Sequence, residues 1–277
     1  MEIPHLPAQI NLRCFISIIE KTMRRIRLTL QYDGSAYNGW QIQASGVTIQ
    51  GLLQNCIYRL TGEKVTVIGA ARTDAGVHAI EQIAAFDSGS GLHVDVMKRA
   101  MNAMLPREIR VEHVGDAERD FHPRYSAQSK RYVYLVANLR DVPVFIHRYV
   151  WWVRLPLDAG AMGTASASLL GSHDFSSFRG AGCGAKSPVR RICSIEVERL
   201  PETFFLFTRF QGDFVKVSIE ANAFLRHMVR NIVGTLVEVG RGKTDPERVK
   251  DILEARERKA AGPTAPPSGL FLEKVIY

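Results

Sequence analysis

Residues 64–79 read KVTVIGAARTDAGVHA, a β-branched run that delivers a small-residue loop with a charged pair inside it. Val65, Thr66, Val67 and Ile68 predict a strand over Lys64–Ile68, which Gly69 and the small residues after it bring to an end. The loop, Gly69–Ala79, holds a single acid, Asp74, two residues after the cation Arg72. Gly76 tolerates positive φ and lets backbone or ligand approach closely. Two readings stay open from these residues alone. Asp74 can cap local amides in an Asp-Ala-Gly turn, or it can be a reactive carboxylate presented on a loop that a rigid sheet supports.

Working outward, Arg25–Tyr32 alternates polar residues with Ile26, Leu28 and Leu30, the pattern of a half-buried strand turned by Asp33-Gly34. Tyr37, Gly39 and Trp40 form an aromatic loop, and Thr48 caps a helix over Ile49–Thr61. Downstream, the pattern predicts a strand over Gln82–Phe86, a helix over Val94–Leu105 stopped by Pro106, and a strand over Ile109–Val114. Strand, helix, strand, strand, helix, strand is the order of a ferredoxin-like sandwich.

The second half repeats these ingredients. Strands are expected at Arg131–Val136, Tyr149–Val153, Arg190–Glu198, Phe204–Phe210, Phe214–Ala221 and Leu270–Tyr277. Helices are expected at Asp158–Leu170, at Phe224–Val239 and from Pro246 to about residue 260, and Ala261–Ser268 reads as a Pro-rich linker. The fold class is therefore α/β (α+β), two ferredoxin-like α/β lobes sharing a mainly antiparallel sheet. The lobes are 23–125 and 126–277. Residues 1–22 form an extension, either a loosely ordered tail or a segment upstream of a translation start at Met23.

At 277 residues the chain can bury a sizeable core. Lys and Arg outnumber Asp and Glu by 36 to 28, a formal net charge of +8, which favours an anionic partner, nucleic acid before nucleotides. The four cysteines form no C-x-x-C pair and the histidines no H-x-x-x-H spacing, so no zinc site is indicated and free thiols in a reducing cytoplasm are expected. The apolar run near the N-terminus is too short to span a membrane.

Three further stretches could carry chemistry. In FHPRYSAQSKRYVYLV, residues 121–136, Arg124, Lys130 and Arg131 alternate with Tyr125, Tyr132 and Tyr134. Cations for phosphates and rings for unstacked bases suit RNA, although an amphipathic strand with half-buried tyrosines fits equally. GSHDFSSFRGAGCGAKSPVRR, from Gly171, can wrap phosphates or be a solvated loop; His173 and Asp174 are adjacent, face opposite ways and read as structural. In ANAFLRHMVRNIVG, residues 221–234, Arg226 and Arg230 fall four apart on one helical face, either as a solvated stripe or with one arginine paired to a distant carboxylate.

Taken with YDGSAYNGWQIQ (32–43), HDFSSFRGAGC (173–183), NAFLRHMVRNIVGTLVEVGRGK (222–243) and AAGPTAPPSGLFLEKV (260–275), these segments closely resemble the TruA family of tRNA pseudouridine synthases. The resemblance runs over nearly the whole chain from Met23. It implies the pseudouridine synthase fold with a central RNA-binding cleft, a homodimer that binds tRNA, and isomerisation of uridine at positions 38, 39 and 40 of the anticodon stem-loop. It places the catalytic aspartate on Asp74, its neighbouring arginine on Arg72, the substrate-stacking tyrosine on Tyr132, and the arginine paired with the acid on Arg230. Ala70-Ala71 stand where the family commonly has Cys-Gly or Ser-Gly. The isomerisation transfers no external group and involves no redox change, so no cofactor and no metal are called for. An ionised carboxylate acting as nucleophile or base is, with Arg230 and Arg72 as counter-charge, and the uridine must leave its stack to reach it. The rival readings are a non-catalytic tRNA-binding protein or RNA chaperone of the same fold and an Asp-nucleophile hydrolase acting on nucleosides.

Overall fold

The computed structural model describes residues 23–205 and 207–277; the expected N-terminal extension, 1–22, lies outside the described residues. The first half runs β1 (Arg24–Tyr32), α1 (Ile49–Thr61), β2 (Ile68–Gly69), β3 (His78–Ser88), α2 (Val94–Met104) and β4 (Ile109–Ala117). This is the expected order, and β1 lies between β3 and β4, antiparallel to both. Alternation in β1 buries Ile26, Leu28 and Leu30 completely, under helices whose inward faces carry Leu53, Ile57, Met97 and Met101.

One expected strand is largely missing. Of Lys64–Ile68 only Ile68 pairs, as part of the two-residue β2 against β3. The reason lies in α1: Gln54 Oε1 accepts from the Val67 amide at 3.2 Å and Gln50 Nε2 donates to the Val67 carbonyl at 2.8 Å. Glutamines of the helix satisfy the backbone that a sheet neighbour would otherwise bond. Strand β3, by contrast, is longer than Gln82–Phe86 and takes in His78.

The second half runs β5 (Ser129–Ala137), β6 (Trp151–Trp152), α3 (Ala159–Ser166), β7 (Gly171–Asp174), β8 (Val189–Phe205), β9 (Thr208–Ala221), α4 (Met228–Gly240), α5 (Arg248–Ala255) and β10 (Leu270–Ile276). Three expected strands are two, because β8 and β9 pair from Ile192↔Ala221 to Phe205↔Thr208 as one long hairpin. Pro201, which cannot donate to a sheet ladder, is absorbed by a register shift between Leu200 and Glu202. Helix α4 starts four residues later than expected because His227 takes a left-handed conformation, φ 60°. Arg226 is thus ahead of the helix and does not share a face with Arg230; its Nη1 donates to the Ala181 carbonyl at 3.0 Å.

The ten strands of the described residues belong to one sheet, ordered β4-β1-β3-β10-β5-β9-β8-β7, with β2 on β3 and β6 on β5. The two halves join through the last strand: β10 is parallel to β3 and antiparallel to β5. That joint sets the end of the 69–77 loop beside β5 and α4.

Candidate active site

The loop after β2 is held from below by polar groups. Gln82, fully buried on β3, accepts from the Ala71 amide at 3.2 Å and donates to the Ala71 carbonyl at 2.8 Å. Tyr32 OH lies 2.8 Å from Thr73 Oγ1, and burial pushes that phenol up to about 12, so it remains a neutral hydrogen-bonding group. From above, the 34–40 segment clamps the loop, with Trp40 N donating to Thr73 O at 3.0 Å and Gly76 N to Tyr37 O at 3.3 Å. Gly39 (φ 81°) permits this closeness, since a Cβ there would lie 2.5 Å from the Thr73 carbonyl oxygen.

Asp74 opens a turn closed by Val77 N to Asp74 O at 3.1 Å, with Gly76 at φ 78°. Its carboxylate caps no local amide among the described residues. Instead Oδ2 accepts from Arg230 Nη1 at 3.1 Å and lies 3.5 Å from His227 Nε2, groups more than 150 positions along the chain. The pair is largely shielded, with Arg230 14% and Asp74 21% exposed. Oδ1 makes no hydrogen bond among the described residues.

Arg230 is oriented by its surroundings. Nε donates to the Ala265 carbonyl at 2.8 Å while the Ala265 amide donates back to Arg230 O at 3.0 Å. The 261–268 stretch is therefore no loose linker. It is laid on α4, where Gly234 admits it: a Cβ there would be 1.7 Å from the Pro263 oxygen. Arg258, Thr264 and Asn231 fasten it further through a hydrogen-bonded cluster at 2.7–3.1 Å.

Tyr132 on β5 is buried and meets Phe224 edge-on at 5.0 Å. Burial first, then the neighbouring Tyr32 phenol and the Asp74 carboxylate, push its phenol up. Arg72 differs from the other three expected residues. Its side chain is exposed and makes no hydrogen bond or ion pair among the described residues, so the counter-charge at Asp74 comes from Arg230 alone of the two expected arginines.

His227 and Gln82 escape sequence reasoning. Three positions before Arg230, His227 reads as one more helical residue, and only its left-handed backbone turns the ring back to Asp74. Gly180 makes room for it, since a Cβ there would lie 2.8 Å from His227 Nδ1. Burial holds His227 below the ordinary histidine range; Asp74 acts against this, and Arg230, Arg226 and Arg258 act with it. Gln82 did leave a signal, as the polar residue in the run QIAAF.

His78, Asp174 and His173 have structural partners. His78 stacks on Phe271 at 4.8 Å and its Nδ1 lies 3.1 Å from the Gly34 amide. Asp174 Oδ1 caps the Ser176 amide, and His173 Nε2 lies 2.6 Å from Leu170 O. Among the described residues no three His, Cys, Asp or Glu side chains group so as to hold a metal ion, and no helix is long and apolar enough to cross a membrane.

Comparison with known proteins gives a consistent result. A family model described as tRNA pseudouridine synthase matches residues 29–126 and 165–277. The chain is 46% identical over 255 residues to tRNA pseudouridine synthase A of Myxococcus xanthus, covering 92% of each chain. It is 42% identical to tRNA pseudouridine synthase A of Thermoanaerobacter sp. (strain X514), covering 92% of this chain and all of that one. Among solved structures, a chain of a Cbf5-Nop10-Gar1 complex aligns over 76% of this chain and 45% of its own length, at 14% identity and a TM-score of 0.30.

Proposed function

The chain belongs to the tRNA pseudouridine synthase family, isomerases of tRNA uridine, and on that premise we propose that Asp74 is its catalytic group and that it acts at positions 38, 39 and 40 of the anticodon stem-loop. The observation that carries the first part is the contact of Arg230 Nη1 with Asp74 Oδ2 at 3.1 Å.

The reaction breaks the N1–C1′ bond of uridine, turns the uracil and forms a C5–C1′ bond. The proton lost from C5 is balanced by one gained at N1. One carboxylate suffices as nucleophile or base if it is ionised, aimed and protected from competing partners. Arg230 and His227 both engage Oδ2, so Oδ1 is the oxygen free to react. His227 sets Nε2 3.5 Å from the same oxygen, and burial holds its ring below the ordinary histidine range. Tyr132 offers the platform for the extruded base. Arg72, exposed on the loop's outer side, fills the gap the uridine leaves in the stem. The two halves, 23–125 and 126–277, act as lobes, and the enzyme works in the cytoplasm as a homodimer.

Incubating the purified protein with an undermodified tRNA and mapping pseudouridine tests this. Product at 38, 39 and 40 is expected; product confined to another region of the tRNA would refute the positional assignment, and release of free uracil would favour a hydrolase.

A further inference from the structure

The described residues bury two cations of the Lys and Arg type, and only one has an acid. Arg25, 9% exposed, is matched by Asp87 at 3.0 Å and donates to the Phe121 carbonyl at 3.1 Å. Lys130, 6% exposed on β5, has no side-chain hydrogen-bond or ion-pair partner among the described residues. The contrast with its neighbour is as sharp. Arg131 points to the opposite face and is held by Glu220 at 2.9 and 3.2 Å and by Glu273 at 3.8 Å. The nearby carboxylates are thus spent on the wrong side of the strand.

Lys130 of β5 and Ile192 of β8 both pair with Ala221 of β9, which sets Arg190, two residues before Ile192, across β9 from Lys130 on the same face, so what surrounds Lys130 is positive. Burial, and then the charges of Arg124 and Arg190, push its ammonium down to about 8. Arg190 on β8 is itself lowered by burial, with Arg124 and Arg179 adding to the effect against an opposing contribution from Cys183, and its Nε is buried without a partner. Its Nη1 donates to the carbonyls of Ser187 and Val189 at 3.0 and 2.6 Å, which fixes the guanidinium in place. Arg124 lies 5.8 Å over the ring of Tyr125 and makes no ion pair among the described residues. Three cations gathered without a counter-ion, one of them buried, weaken the fold unless an anion completes the set.

We propose that Lys130, Arg190 and Arg124 form a phosphate subsite for a backbone phosphodiester of the RNA strand next to the target nucleotide. The register supplies the location. Lys130 and Tyr132 are two apart on β5 and so share a face at a spacing of about 6.7 Å, with Tyr132 against Phe224 and within the field of Asp74. The subsite anchors the strand beside the base that Tyr132 receives. The inference rests on the tRNA reading of the preceding section for its ligand, and on the unpaired cations for its existence.

The test uses the full-length protein with Lys130→Met, which keeps the packed stem and removes the charge, and Arg190→Gln as a second variant. Three quantities are read: melting temperature without RNA, the shift caused by inorganic phosphate at constant ionic strength, and tRNA affinity against salt. For Lys130→Met we expect an unchanged or higher melting temperature, a lost phosphate response, and tRNA binding weakened about tenfold at low salt. The slope of log affinity against log salt should fall by about 0.7 to 0.9, one phosphate contact. A lower melting temperature with unaltered tRNA affinity would make Lys130 a packing residue and overturn the proposal. A lost phosphate response with an unaltered tRNA slope would assign the subsite to free phosphate and overturn its RNA role. Pseudouridine formation by the unmodified protein, run alongside, separates this failure from that of the family-based reading.

Discussion

At the scale of single residues, one carboxylate oxygen meets two groups that differ in kind. Arg230 donates to Oδ2 with a fixed charge, and the His227 ring, which burial holds below the ordinary histidine range, lies 3.5 Å from the same oxygen. Arg230→Gln removes the charge and the fork that also holds Ala265, so we expect turnover to fall by about 10² or more and stability to drop by about 2 kcal/mol, read by single-turnover kinetics and urea unfolding. His227→Gly relieves the left-handed backbone while deleting the ring. It should keep the melting temperature within a few degrees and lower kcat by about tenfold with KM little changed; an equal loss in KM would give His227 a binding role instead. The lowered pKa of His227 also fixes a sign. The unfolded chain binds the proton first, so its contribution to stability is present above the ordinary histidine value and is lost as pH falls through that value toward the folded one. His227→Gly should flatten the acid limb of a stability profile in that window. The pairing of Arg230 with Asp74 was expected, but the place of His227 was not legible from residue types, because the identity of a histidine carries no information on its φ.

At the scale of elements, the loop that carries Asp74 is positioned by its neighbours more than by its own sequence. Gln82→Leu would strand the buried amide and carbonyl of Ala71, costing about 3 kcal/mol, and Gly39→Ala would drive a Cβ to 2.5 Å from Thr73 O. Both should lower kcat through a displaced Asp74, measurable as reduced turnover with a folded circular dichroism spectrum. The elements that were legible have periodic cores: β1, α1 and α2 announce themselves by alternation or by helical spacing. Those misjudged were decided by tertiary partners. Lys64–Val67 has strand composition but gives its backbone to Gln50 and Gln54 of α1. The 261–268 stretch has linker composition but is fixed to α4 because Gly234 leaves a place for it. The strand expected at Phe204–Phe210 is divided between the ends of β8 and β9, and a bulge beside Pro201 lets β8 run through.

At the scale of the whole molecule, the site exists only because the halves are stitched together. Asp74 comes from the first and Tyr132, His227 and Arg230 from the second, and the parallel pairing of β10 with β3 brings them into register. The sequence motifs named the four expected residues in order, and three of them lie together; the exposed side chain of Arg72 stands apart. With a net charge of +8, tRNA binding should weaken steeply with salt, and a flat response in a filter-binding or fluorescence titration would contradict a binding surface built on phosphates. The most direct test compares the unmodified enzyme with Asp74→Asn on an undermodified tRNA under single-turnover conditions, alongside their dissociation constants. The account expects pseudouridine in the anticodon stem-loop from the former, and none from the latter with tRNA affinity retained. Turnover by Asp74→Asn near that of the unmodified enzyme would contradict it.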